Sequence, residues 1–140
     1  MTLVELVVSI VIIALVITGV MLVISNTARH SADPLLTEQA AAIAQAYLEE
    51  ITGKPLIDPP GGDAGTRATF DDVWDYNGLN DTGGAIDQSG ATIAGLTTYN
   101  VAVQVTAVTL NGSPATRISV TVTHDGDPRL NISVNGWRLN

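Results

Sequence analysis

Cysteine is missing from all 140 residues, which removes disulfides, thiolate zinc sites and a cysteine nucleophile from consideration. Its absence says nothing about compartment. Positive charge is scarce as well: 6 Lys and Arg stand against 14 Asp and Glu, giving a net charge of -8 and a pI near 4.3. The six basic residues do not cluster, so no basic surface suited to a phosphate backbone is expected, nor nucleic acid as a partner. No repeat of solenoid period occurs, and the length suits one domain of modest core beside any apolar segment. Histidine is limited to His30 and His124, with no nucleophile or acid at informative spacing, so no catalytic constellation is visible and an enzyme is not expected.

One long apolar run is present. Leu6 to Ile24 carries no charge and is broken only by Ser9, Thr18 and Gly19. At about 1.5 Å per residue its roughly 19 residues reach about 28 Å, enough to cross a bilayer's hydrocarbon core. A secretory signal would show a basic region before a shorter apolar core, whereas here an acid, Glu5, heads the run and the first basic residue is Arg29. The positive-inside tendency would then keep the Arg29 side in the cytoplasm, unless a basic leader preceding Met1 is cleaved.

Beyond Ser25 the pattern changes. Asp33-Pro34 is either a helix N-cap with proline at the first position or a proline inside a continuing helix. From Pro34 to Thr52, Leu36, Ala40, Ile43, Ala44, Tyr47, Leu48 and Ile51 share one helical face, leaving Glu38, Gln39, Gln45, Glu49 and Glu50 mostly on the watered side. Gly53, followed by Lys54 and Pro55, is the expected stop. The two parts can form a nearly continuous helix of about 50 residues, some 75 Å long. Pro55 to Gly95 reads as loop, with a short strand expected around Thr66 to Phe70. A structureless loop of that length would be unusual in a small domain without a role.

The period then becomes two. Tyr99, Val101, Val103, Val105 and Ala107 alternate with polar or small residues, as do Ile118, Val120 and Val122, and then Leu130, Ile132 and Val134. Asn111-Gly112 and Asp125-Gly126 lie between these runs as turn signals, which predicts a three-stranded antiparallel meander. Its apolar face is the natural partner of the helical stripe.

Met1-Thr2-Leu3-Val4-Glu5, the apolar run directly behind it, and the helix-then-strands pattern resemble the type IV filament superfamily of pilins and pseudopilins. That family's mature N-terminus typically reads Phe-Thr-Leu-Ile-Glu. The resemblance implies an α+β pilin fold: a filament-core and transmembrane helix over residues 1–25, the second half of the helix over 26–54, and a head over 55–140 that combines a long loop with the meander. It implies a leader removed by a prepilin peptidase, Met1 as an N-methylated first residue, and residence in the inner membrane before an assembly platform polymerises the chain into an extracellular pilus. In that family the acid at Glu5 compensates the N-terminal amine of a neighbouring subunit in a homopolymer. An ionisable group in hydrocarbon costs about 2.5 to 3.5 kcal/mol on insertion scales, so an opposite charge would offset it; the plainer role is an acid snorkelling at the membrane edge.

Two departures matter. Many major pilins have a proline in the early twenties that loosens the helix, whereas here Gly19 is the soft point and no proline precedes Pro34. The cysteine pair that closes a C-terminal loop in many pilins is absent. The stretches SADPLLTEQAAAIAQAYLEEITGKP and FDDVWDYNGLNDTGG are most similar to minor pilins of the MSHA type (mannose-sensitive haemagglutinin), with type II secretion pseudopilins, and a minor or tip role, as alternatives.

Asp71, Asp72, Asp75, Asn77, Asn80 and Asp81 offer the oxygen ligands that calcium takes, though Leu79 interrupts an EF-hand spacing, and the bland reading is a solvated acidic loop; no other cofactor is expected. Trp74, Tyr76 and Trp137 read as packing or subunit-contact residues. Three Asn-X-Ser/Thr triplets, at Asn80, Asn111 and Asn131, are short patterns of little weight.

Overall fold

The computed structural model describes residues 2–61 and 65–139, with the side chains of residues 23 and 25–33 outside the described set. Met1, assigned above to assembly and N-methylation, therefore lies outside the described residues. The fold is α+β. One helix, α1 (Leu3–Thr52), precedes four strands, β1 (Asn80–Asp81), β2 (Tyr99–Leu110), β3 (Ser113–His124) and β4 (Asp127–Leu139), in an antiparallel sheet of order β1-β2-β3-β4. The chain divides into two compact units, Met1–Leu36 and Thr37–Asn140.

Of the two readings of Asp33-Pro34, the continuing helix is the one formed, because Pro34 lies inside α1. Proline there forfeits one backbone hydrogen bond without ending the helix. Leu3–Leu22 is long and apolar enough to cross a membrane, and none of it is buried. At the other end α1 stops at Thr52. Gly53 N–H still donates to Glu49 O at 3.1 Å and Lys54 N–H to Ile51 O at 3.1 Å, so the last turn is closed without a left-handed glycine. Arg138 supplies the remaining donor, its Nη1 reaching Thr52 O at 3.2 Å and also Lys54 O. A guanidinium at a helix C-terminus suits both the orphan carbonyls and the helix dipole.

In the second unit, Ala40, Ile43, Ala44, Tyr47 and Ile51 are buried, as the helical stripe predicted. They face Val101, Val103, Val105, Ile118, Val120 and Val122, the inward positions of β2 and β3. Ala107, expected on the same buried face, is exposed. Leu48 packs over Gly136 of β4, where a Cβ would lie 2.9 Å from Leu48 Cδ1, so any larger residue there would make the Leu48 side chain shift.

Between β2 and β3, Asn111 (φ 50°) and Gly112 (φ 84°) are both left-handed, the geometry of a type I′ turn that matches strand twist. Between β3 and β4 the pairing jumps from Thr123↔Asn131 to His124↔Asp127, leaving residues 128–130 as a bulge beside the Asp125-Gly126 turn.

The sheet has four strands rather than the three expected. β1 is only two residues long, pairing with Val101 and Ala102, and has no periodicity to read. The strand expected at Thr66 to Phe70 is instead a 3-10 helix, Arg67–Thr69, and a second follows at Trp74–Tyr76. The stretch after α1 is not structureless. Val73 N–H bonds Pro55 O at 3.0 Å, Gly78 N–H bonds Val103 O at 3.1 Å, and Val103 N–H bonds Leu79 O at 2.9 Å, so backbone pairing ties the loop to α1's exit and to β2.

Candidate functional site

At the head of α1, Glu5 sits in the first turn. Its backbone N–H donates to Thr2 Oγ1 at 3.3 Å while Thr2 N–H donates to Glu5 Oε2 at 3.4 Å. This reciprocal pair is a capping box, with the carboxylate also at the positive end of the helix dipole. The polar breaks in the apolar run are satisfied within the helix: Ser9 Oγ donates to Glu5 O at 2.8 Å and Thr18 Oγ1 to Ala14 O at 2.8 Å. Neither hydroxyl needs water. Gly19 continues the helix, and nothing lies within 4 Å of where its Cβ would be, so no close approach among the described residues calls for glycine there.

A second polar centre lies inside the Thr37–Asn140 unit, and sequence reasoning missed it. Arg67, on the first 3-10 helix, is buried. Its Nη2 and Nε grip Glu50 Oε2 and Oε1 at 2.7 and 3.2 Å, and its Nη1 donates to Asp81 Oδ2 at 3.1 Å and Ile86 O at 2.8 Å. The guanidinium carbon stands 4.0 Å from the Tyr47 ring centroid. The Tyr47 hydroxyl lies 2.8 Å from Asp81 Oδ2 and 2.9 Å from Ile86 O, and accepts Ile86 N–H at 2.8 Å. Tyr76 OH donates to Glu50 Oε1 at 2.8 Å.

One cation against two carboxylates leaves the centre with one uncompensated negative charge, and the two phenol hydroxyls answer it as donors. Burial is the main cause that pushes the Tyr47 hydroxyl up to about 12. Burial and the bond to Glu50 raise Tyr76 as well. Burial works against the Arg67 charge, but the hydrogen bonds to Glu50 and Tyr47 outweigh it and hold its pKa above the ordinary value. The phenols thus stay protonated near neutral pH and act as fixed donors. Glu50 was expected on the watered face; its position three residues after Tyr47, on the margin of the buried stripe, was the signal that it turns inward.

The six oxygen-bearing residues proposed for calcium are divided by the fold. Asp72 Oδ1 accepts Trp74 N–H at 2.5 Å and Asp75 N–H at 3.0 Å, capping the second 3-10 helix. Asp75 Oδ2 in return accepts Asp71 N–H at 2.9 Å and Asp72 N–H at 3.1 Å. Asn77 Oδ1 accepts Val105 N–H at 3.0 Å, which pins the loop to β2. Asn80 is exposed on β1, and Asp81 belongs to the Arg67 centre. Asp71 Oδ1 is the one buried side-chain oxygen without a hydrogen-bond partner among the described residues. Among the described residues no group of three His, Asp or Glu side chains is placed to hold a metal ion.

Tyr76 is core, whereas Trp74 and Trp137 are exposed. His124 is half-buried: Gly126 N–H donates to its Nδ1 at 3.0 Å, its Nε2 lies 2.9 Å from Thr98 Oγ1, and its ring meets Tyr99 edge-on at 4.8 Å. An accepting Nδ1 puts the proton of the neutral ring on Nε2, so His124 fastens the turn between β3 and β4. No protein-family model, no curated protein and no solved structure matches this chain.

Proposed function

We propose that the chain is a structural subunit of a type IV pilus-like filament, held in the inner membrane by α1 before assembly and bundled with sister helices on the cell surface after it. The observation that supports this reading most is Leu3–Leu22, an apolar helix with none of its surface covered and a single acid at its head. Leaving lipid for other helices brings no net hydrophobic gain, so packing and a charge pair must supply specificity. Glu5 serves as that charge, facing the N-terminal amine of a neighbouring subunit. A prepilin peptidase and an assembly platform are the partners the reading requires.

The capping box makes the test sharp, because glutamine keeps the cap and removes the charge. Glu5→Gln and Glu5→Val should both lower surface filaments at least about tenfold, the factor given by about 1.4 kcal/mol, while Thr2→Val should leave most filaments in place. Electron microscopy of sheared filaments and a melting curve of the head read the result. Normal filaments from Glu5→Gln would reduce Glu5 to a capping residue and remove the charge-pairing mechanism. Filaments whose shaft density fits another chain would make this a minor or tip subunit, and cells without filaments but with blocked exoprotein release in a deletion strain would replace the pilus by a secretion pseudopilus.

A further inference from the structure

Two apolar features of the Thr37–Asn140 unit are left open among its described residues. The first is a cavity of about 250 Å3 between α1 and the segment before β2, lined by Ala42, Ile43, Ala46, Tyr47, Ala85, Ile93 and Leu96. Small-molecule sites commonly run from about 300 to 1,000 Å3 and place a few polar groups to orient the ligand. Here the volume is smaller, and the only polar side chain, Tyr47, has its hydroxyl engaged by Asp81 and Ile86. What such a site takes is one or two apolar side chains.

The second feature is on the opposite, outward face of the sheet, at its open end. Val108, Ala115 and Leu139 form one cross-strand row, in which Leu139 is exposed, Val108 half-buried and Ala115 buried, and Arg117 and Trp137 pair in the next, both exposed. Leu110 extends the patch by one more pleat. Of the large apolar side chains exposed in this unit, Leu110, Trp137 and Leu139 belong to the patch, with Trp137 54% exposed, Ile93 stands at the cavity, and Ile57 and Trp74 belong to neither. Trp and Arg side by side are the residues most enriched where binding energy concentrates.

Charge decides what the patch meets. The patch carries Arg117 in a chain of net charge -8. The cavity is flanked along α1 by exposed Glu38, four residues before Ala42, and exposed Glu49, three after Ala46. We propose that Trp137 and its apolar neighbours seat in this cavity on a second copy of the chain, with Arg117 facing Glu38 and Glu49. Patch and cavity are different surfaces, so the contact is head-to-tail and propagates as an open array. It rests on the filament reading for its geometry and adds a contact between heads to the helix bundle.

The test places a benzophenone amino acid at Ile93 in the full chain, in intact cells and after solubilisation in mild detergent, and maps cross-links by mass spectrometry. Cross-links should join position 93 to residues 106–117 or 137–139 of a second copy. Trp137→Ala and Arg117→Glu should each cut the yield at least tenfold without changing the melting curve, and Glu38→Lys or Glu49→Lys should restore Arg117→Glu. Cross-links from position 93 to the cavity of the other copy, to a different protein, or to none would overturn the contact, as would failure of the charge reversal to restore it. Filaments with normal yield and no such cross-link would remove this contact and keep the filament reading. The cross-link without filaments would do the reverse.

Discussion

Leu3–Leu22 and the Arg67 centre solve opposite problems with opposite means. The first is apolar but for Glu5, Ser9 and Thr18 and leaves its surface uncovered, with its one acid bonded, among the described residues, to its own first turn. The second is polar and charged, yet Arg67, Glu50 and Asp81 are withdrawn from water and paired with one another and with two tyrosines. The buried charges of the second region thus find their partners within their own unit, while Leu3–Leu22, long and apolar enough to cross a membrane, has none of its span buried. A substitution in one should therefore leave the other unmoved, and that separation is what the following experiments break or sharpen.

The largest effect is expected at Arg67. Arg67→Met strands Glu50 and Asp81 in a dry site, which costs about 3 to 5 kcal/mol when one partner of a buried pair is removed. Urea denaturation should show that loss, and the triple change Arg67→Met, Glu50→Met, Asp81→Leu should recover much of it. A small loss from the single variant would mean water reaches the centre.

Alkali should act on the same region. Tyr47 is raised from the ordinary 10.0 to about 12, mainly by burial, and Tyr76 and Tyr99 are raised with it. Between these pH values the unfolded chain has released protons that the folded chain still holds. Stability fully present below pH 10 is then lost as pH rises toward 12, at up to about 1.4 kcal/mol per pH unit for each such tyrosine. Melting temperature against pH, repeated with Tyr47→Phe, checks both the sign and the contribution of that residue: the variant should be less sensitive above pH 10.

Asp72→Ala removes the side chain that caps the second 3-10 helix, for a loss of about 1 kcal/mol by analogy with helix caps. Calcium at millimolar level should not replace the lost cap; a melting temperature raised by calcium in the wild type but not in the variant would give this loop a metal role. The smallest effect is at Gly19→Ala. With nothing within 4 Å of the new Cβ, the helix should gain up to about 1 kcal/mol and the head's melting curve should not change. A fall in filament yield from that variant would show that the soft point is used in assembly.

Periodicity carried most of the architecture. The alternation around Val101, Val103 and Val105 and around Ile118, Val120 and Val122 predicted buried faces that the sheet reproduces, and both turns fall at the expected dipeptides. Such patterns are legible because burial on one face repeats every second residue in a strand. Features without a repeat were not. β1 is two residues long, the segment at Arg67 forms one 3-10 turn instead of a strand, and Ala107 lies exposed although its alternation matches its neighbours. Local composition does not say where a covering helix ends.

By itself, the sequence determined an acid-headed apolar segment long enough to cross a membrane, an amphipathic helix after it, and strands whose hydrophobic faces had to meet that helix. These follow from spacing along the chain, which local backbone geometry converts directly into faces. Only the tertiary structure decided which charges are paired inside. Glu50, Arg67 and Asp81 lie far apart in the chain, and apart from Glu50's place at the margin of the helical stripe nothing in their spacing distinguishes a buried clamp from a solvated residue or a metal ligand. Their roles depend on which groups the fold withdraws from water together, since a charge leaves solvent only where an opposite one is already waiting.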